Sequence, residues 1–225
     1  MEIKFFKKIP FLSEFSDDEL KEMSDLSERR KFPPGSIVLY EGDKNKTPYL
    51  ILKGRIKVVL SDKKGKEIIV SILKEGDYFG EMALFDQLPR SATVVTLEDS
   101  EFLIISPEVL LDKISKNPRL SLKLLSEMSK RLRKTDKQIG NLALLDVKGR
   151  VARILLNLFQ EAPLENGKDY KTVARPPLKD IAAMSGTTRE TASRILNDFF
   201  KNNLIHLTRK NIIIYDKLKN KAGSS

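Results

Sequence analysis

The chain has 225 residues, 40% hydrophobic and 32% charged, and a net charge of +10 from 41 basic and 31 acidic side chains. Its length allows two modest domains, and its composition is that of a folded rather than a disordered protein. With no cysteine and one histidine, His206, there is no material for disulfides, thiolate nucleophiles, cysteine-held metal centres or a histidine-dependent triad.

No apolar run approaches the length of a membrane span, so a cytoplasmic protein with neither a membrane nor a metal partner is expected. The charge is unevenly placed. Residues 146–225 hold 15 basic and 8 acidic side chains, a net +7, against +3 for the first 145 residues. A polyanion partner is therefore expected in the last third.

In chain order, residues 16–28 begin as a helix. Ser16 and Glu19 have capping-box spacing, and Phe15 with Leu20 forms a hydrophobic staple. Short β-rich runs follow at Ser36–Tyr40, Tyr49–Lys53, Ile56–Ser61, Ile68–Leu73, Ala92–Thr96 and Glu101–Ser106. Glycines punctuate them, with a turn at Pro34-Gly35 and a hairpin at 62–65. This texture predicts a β-barrel or double-sheet jelly roll.

Within it, residues 76–84 read GDYFGEMAL and residues 89–94 read PRSATV. A carboxylate, Glu81, opens a single turn of helix-forming residues beginning at Met82. Helix starts carry unpaired N–H groups and a positive dipole end that suit an anion. Arg90 supplies a bidentate, charge-assisted donor to phosphate and Ser91 a hydroxyl. Glu81 repels phosphate and suits sugar hydroxyls. Together these groups could hold a ribose and a phosphate side by side; the competing reading is a tight turn with a surface salt bridge.

From Pro118 the period becomes helical. Leu125, Met128, Leu132, Thr135, Ile139 and Leu142 alternate spacings of three and four, which predicts the seam of a parallel two-stranded homodimer. Lys130, Arg131, Arg133, Lys134 and Lys137 fall on the remaining faces. Asp146 is placed to cap a further helix with Val151, Ile154, Leu155, Leu158 and Phe159 on one face, so the hinge is expected at about Leu144–Val147.

After a loop over Glu161–Pro177, a short helix is expected to end near Gly186, with Thr187 capping the next and Glu190 three residues on. Ala192, Ile195, Leu196 and Phe199 share its buried face; Arg189, Ser193, Arg194 and Asn197 share the other. Helix, tight turn, and a helix with arginines near its N-terminus describe a helix-turn-helix. Leu204–Thr208 and Ile212–Tyr215, joined across Arg209-Lys210, make a wing.

The 76–94 string resembles the phosphate-binding cassette of the cyclic-nucleotide-binding domain, Phe-Gly-Glu-Leu/Met-Ala-Leu followed by Pro-Arg-Ser/Ala-Ala-Thr. GTTRETASRIL at 186–196 resembles the recognition-helix segment of the Crp–Fnr family, and residues 139–158 resemble that family's hinge and following helix. The resemblance covers nearly the whole chain in the family's domain order. It implies an α+β protein in three parts: a β-barrel or jelly-roll sensor over 1–115, a dimerisation helix and hinge over 116–145, and a winged helix-turn-helix over 146–225.

The resemblance further implies that Glu81 takes the ribose 2′-hydroxyl and Arg90 the cyclic phosphate. Ser91 and the Gly80–Met82 region add contacts. Thr135 matches a central-helix threonine that reaches the base. Arg189, Glu190 and Arg194 match readers of base edges in double-stranded DNA, Thr188 a phosphate contact, and Ser193 lies on the same face. Arginine suits guanine O6/N7, and glutamate accepts from cytosine N4.

One residue departs from the family pattern: where a serine follows the threonine in cyclic-AMP-binding members, this chain has Asp136. A carboxylate accepts from adenine N6 but also matches the paired N1 and N2 donors of guanine.

The expectation is a homodimeric transcription regulator gated by cyclic AMP, binding a TGTGA-like inverted repeat and, if an activator, engaging RNA polymerase. Cyclic GMP, a cyclic dinucleotide or no effector on the same fold is the alternative. A regulatory subunit acting on a protein partner is a second, against which the C-terminal charge argues. No nucleophile–base pair or metal cluster supports an enzyme.

Overall fold

The computed structural model describes residues 2–7, 9, 12–162 and 169–218. The chain divides into two compact units, Met1–Lys134 and Thr135–Ser225. In the first, α1 (Glu2–Phe6) and a 3-10 turn (Leu12–Glu14) lead to α2 (Asp17–Asp25). The capping box that begins α2 is present: the Ser16 hydroxyl accepts from the Glu19 N–H, and the Glu19 carboxylate accepts from the Ser16 N–H at 2.8 Å. Phe15 and Leu20 are both buried. The helix stops three residues before Glu28, because residues 28–32 form a strand instead of continuing it.

That strand is β1 (Glu28–Phe32). It is followed by β2 (Ile37–Leu39), β3 (Tyr49–Lys53), β4 (Arg55–Ser61), β5 (Glu67–Lys74), β6 (Tyr78–Phe79), the single turn α3 (Met82–Phe85), β7 (Thr93–Thr96) and β8 (Ser100–Ile104). The strands make two four-stranded sheets, ordered β1-β8-β3-β6 and β2-β7-β4-β5. Every pairing within them is antiparallel. The β4–β5 hairpin turns where Asp62 accepts from the Lys64 and Lys66 N–H groups.

Alternation explains the layering. Tyr49 and Ile51 of β3 join Phe79, Phe102, Leu39, Ile56 and Val94 in one cluster drawn from both sheets. Leu50 and Leu103, on the opposite face, join a second cluster with Phe6, Phe15, Leu20, Met23, Leu110, Leu120 and Leu124. β3 is therefore buried on both faces over Tyr49–Ile51, which is why its sequence is apolar up to the exposed Lys53 at its end. Helix α4 (Pro107–Lys116) and the first turns of α5 (Pro118–Leu144) supply the covering layer.

In the second unit, Asp146 caps α6 (Val147–Glu161) by accepting from Gly149 N–H at 2.7 Å. Then come β9 (Tyr170–Ala174), α7 (Leu178–Met184), α8 (Arg189–Lys201), β10 (Ile205–Leu207) and β11 (Asn211–Tyr215). The segment expected as a loop over Glu161–Pro177 thus contains a strand; part of it, 163–168, lies outside the described residues. β9 pairs antiparallel with β11, giving the sheet order β10-β11-β9. Three helices and this sheet enclose one core of Val151, Leu155, Phe159, Ile181, Ala192, Leu196, Phe199, Leu204, Ile212 and Ile214. Among the described residues, no helix is long and apolar enough to cross a membrane.

Candidate functional site

The cassette hangs between β6 and β7. Gly80 follows β6 with φ +81, and a Cβ there would sit 2.7 Å from an Arg90 terminal nitrogen and 3.2 Å from the Thr47 carbonyl. Only glycine fits that backbone beside that guanidinium. Arg90 is 4% exposed. Its Nη1 donates to the Gly80 carbonyl at 2.5 Å, and its Nη2 donates to Asn45 Oδ1 at 2.9 Å and to the Thr47 carbonyl at 2.7 Å. Its Nε is buried with no hydrogen-bond partner among the described residues.

Burial pushes the guanidinium's pKa down, outweighing the opposing pull of Tyr49, Glu81 and Asp43. Three of the five N–H groups of the fork predicted for a bidentate phosphate contact are thus already engaged by protein oxygens; Nε–H, buried and unpartnered, and the second Nη1 hydrogen remain to offer.

Glu81, the next residue, is 4% exposed. As N-cap of α3 it makes no side-chain capping bond, because its carboxylate is engaged elsewhere. Arg131 of α5 donates to Glu81 Oε1 at 2.7 Å and to the Tyr78 carbonyl at 2.6 Å, and its guanidinium lies 4.2 Å from the Tyr78 ring centre. Burial raises the Glu81 pKa and the Arg131 charge draws it back down. Burial likewise pushes the Tyr78 hydroxyl up to about 12. The sequence reading placed Arg131 among outward-facing charges; it is instead the partner of the buried carboxylate.

The one-turn α3 is too short for a substantial dipole, which leaves Arg90 as the cationic feature of the cassette. Met82 and Ser91 are exposed and adjacent, the Ser91 hydroxyl lying 3.7 Å from the Met82 sulfur. Thr135 and Asp136 lie on α5 in the second unit, both exposed.

The second unit carries the other candidate surface. α7 ends at Gly186, whose φ of +61 reverses the chain. Thr187 still belongs to that ending, since its N–H bonds the Ala182 carbonyl at 3.0 Å. Thr188 is therefore the cap of α8, with extended backbone and its hydroxyl accepting from the Thr191 N–H. The expected cap is displaced by one residue, and Glu190 sits one place earlier in the helix than a capping box requires. Its carboxylate is held below the usual range by its own N–H and by the Thr188 hydroxyl.

Arg189, Glu190, Arg194 and Asn197 are exposed, and Ser193 is half-buried. Glu190, Ser193, Arg194, Asn197, Asp198 and Lys201 line one open cleft along α8. Lys148 of α6 neutralises Asp198 at 2.5 Å, which removes a repulsive charge from this face. Behind it, Arg150 fixes the turn: its Nε donates to the Ser185 carbonyl at 2.7 Å and Nη1 to the Leu145 carbonyl at 2.9 Å. Sequence reasoning missed Lys148, Arg150 and Lys201; each differs from other surface cations only by tertiary placement. His206 is exposed, its ring 5.5 Å from that of Phe200.

Two family models match, in this order along the chain: the cyclic nucleotide-binding domain over residues 29–117 and the Crp-like helix-turn-helix domain over 149–219. The cAMP-activated global transcriptional regulator CRP of Salmonella typhimurium is 37% identical over 186 residues, 82% of this chain and 88% of that protein. The chain belongs to the Crp–Fnr family.

This Crp–Fnr protein is also 32% identical to the cAMP-activated global transcriptional regulator Vfr of Pseudomonas aeruginosa, over 83% of its length and 89% of Vfr. A solved structure of the c-di-GMP responsive global regulator CLP of Xanthomonas campestris matches with a TM-score of 0.78 at 26% identity. That match covers 89% of this chain and 99% of the other. The Crp–Fnr chain is accordingly a DNA-binding transcription regulator that carries a cyclic-nucleotide-binding domain, and its relatives are regulators rather than enzymes.

Proposed function

We propose that this regulator is a cytoplasmic homodimer that binds cyclic AMP at the Gly80–Ser91 cassette and, so loaded, grips an inverted repeat of TGTGA-like half-sites. The observation that carries the ligand half is the buried Arg90, held beside Glu81 with its Nε–H unpartnered. A cyclic phosphate supplies the missing acceptor, and Glu81 accepts from the ribose 2′-hydroxyl, sharing its carboxylate with Arg131. Thr135 reaches the base.

Leu125, Leu132, Ile139 and Leu142 are exposed along α5 in a single chain, which supports burial against the same helix of a second copy. Binding biases a two-state arrangement of the dimer in which the two α8 helices stand about 34 Å apart, one duplex turn. Arg189 and Arg194 then reach guanines, Glu190 a cytosine, and Thr188 with Ser193 the flanking backbone. RNA polymerase is the further partner if the bound dimer activates.

A second effector reading, a guanine-containing cyclic nucleotide, is favoured by one residue, Asp136, whose carboxylate matches the guanine N1/N2 donor pair. It also draws on the similarity to a c-di-GMP responsive regulator.

Calorimetric titration with cyclic AMP, cyclic GMP and c-di-GMP, followed by binding-site selection with the loaded protein, tests the proposal. Tightest binding of cyclic AMP and an enriched palindrome are expected. Preference for either guanine ligand would replace the effector, and a non-palindromic selected site would remove the dimeric mode.

A further inference from the structure

We infer that Asn45 is a positioning residue for the anion site: its carboxamide oxygen clamps the Arg90 guanidinium without neutralising it. The inference rests on the proposed role of Arg90 toward the ligand phosphate. Asn45 lies in the β2–β3 connection, 45 positions before Arg90, and its Oδ1 accepts twice. It takes the Arg90 Nη2 hydrogen bond at 2.9 Å and the Thr47 N–H at 2.8 Å. Both partners are donors, so the oxygen and not the amide nitrogen must face them.

One atom therefore fixes the guanidinium and also the turn that presents the Thr47 carbonyl to the same nitrogen. The connection is bound to Arg90 through its backbone as well, Arg90 N–H to the Asp43 carbonyl at 2.8 Å and Gly42 N–H to the Arg90 carbonyl at 2.9 Å.

The chemistry of the three acceptors is the decisive point. Gly80, Thr47 and Asn45 all offer neutral carbonyl oxygens. The adjacent buried carboxylate, Glu81, is bonded to Arg131 at 2.7 Å instead. Hydrogen bonds from neutral groups orient a cation and leave its charge for an incoming anion; a carboxylate at the same place would orient it equally well and cancel the charge. Both Nη2 hydrogens are committed, so an incoming anion is left the Nε–H, buried and unpartnered, and the second Nη1 hydrogen. Position 45 therefore requires an acceptor without charge.

Asn45 is exposed, so replacing it is compatible with folding. The test compares wild type, Asn45→Asp and Asn45→Ala by calorimetry, using cyclic AMP, cyclic GMP and an uncharged phosphate-alkylated cyclic AMP. Asp retains both hydrogen bonds, and cyclic AMP affinity is expected to fall about tenfold with affinity for the uncharged analogue nearly unchanged. Ala loses the clamp and is expected to weaken both ligands by a similar, smaller factor, roughly threefold.

A ligand-free readout accompanies these: NMR of the Arg90 Nη groups, resolved by slow rotation in wild type and averaged in Asn45→Ala. In Asn45→Asp, either unchanged cyclic AMP affinity or equal losses for the charged and uncharged ligands overturns the inference. So do Nη signals that Asn45→Ala leaves as they are. If wild type binds neither cyclic nucleotide, the ligand proposed for Arg90 is wrong, and the NMR comparison still decides whether Asn45 clamps it.

Discussion

The two recognition surfaces treat their arginines in opposite ways. In the cassette, Arg90 is buried and hydrogen-bonded through both terminal nitrogens, and Glu81 beside it is buried and paired with Arg131. On α8, Arg189 and Arg194 stand in solvent, and among the described residues Arg194 makes no hydrogen bond or ion pair. A buried charge interacts strongly because little water screens it, but removing one partner strands the others. An exposed charge contributes little until a polyanion arrives and counterions leave. On the proposed roles, the sensor suits a single small anion in one orientation. The reader is built for a long anion approached from solution.

The strongest way to break this contrast is Arg90→Leu. It strands the Gly80, Thr47 and Asn45 acceptors and removes the only cassette cation, so a loss of about 2–5 kcal/mol in cyclic-nucleotide affinity is expected. Calorimetry checks it, and a lowered melting temperature should accompany the loss because the group is buried. On the reader, Arg194→Ala is expected to cost about 1–3 kcal/mol in DNA affinity and to relax preference at one base per half-site. Its melting temperature should match wild type. Equal stability losses in the two variants would erase the distinction between the surfaces.

A pH series sharpens it further. Burial raises the Glu81 pKa and Arg131 opposes that shift. Cyclic AMP affinity should fall as pH drops through the raised value, where the carboxylate gains a proton. In Arg131→Met the opposing charge is gone, so the fall should begin at higher pH; an unmoved midpoint would show that Arg131 does not tune Glu81. The sign for stability is the reverse of the usual carboxylate case. Between the ordinary and raised pKa the folded state binds the extra proton, so this group's contribution to stability is greatest below that window and is lost as pH rises through it.

The smallest expected effect is at Asp136. Exposed ion pairs are worth at most about 1 kcal/mol, and a contact to a base would show in selectivity instead. Asp136→Ser should shift the ratio of cyclic AMP to cyclic GMP affinity toward cyclic AMP. A constant ratio leaves Asp136 as a surface charge.

Local patterns were the readable ones. The β3 strand, Tyr49–Lys53, and the Ser16–Glu19 capping box follow from adjacent residues, and the structure has both as read. The Gly80–Arg90 proximity was readable because the cassette pattern carries it. Arg131 was not: Lys130, Arg131, Arg133 and Lys134 are equivalent in sequence, and only the packing of α5 against the sheet turns one of them toward Glu81. Asn45 and β9 failed for the same reason, since their partners, Arg90 and β11, lie about 40 residues away in sequence. The displaced cap at Thr188 is a subtler miss. Two threonines follow Gly186, and the backbone bond from Thr187 to Ala182 decides which one belongs to the next helix.

The pairing of β9 with β11 also sets the order in which the DNA-binding half can become whole. Tyr170 lies opposite Tyr215, and Ala174 opposite Asn211. During synthesis α6, β9, α7 and α8 all emerge before Ile212 and Ile214, the last strand's contribution to their shared core. Until then β9 has no neighbour on that side and the helices lack part of their apolar support. A chain truncated within residues 202–210 would therefore carry its recognition helix on an unfinished scaffold, and DNA affinity should appear only in chains long enough to include β11.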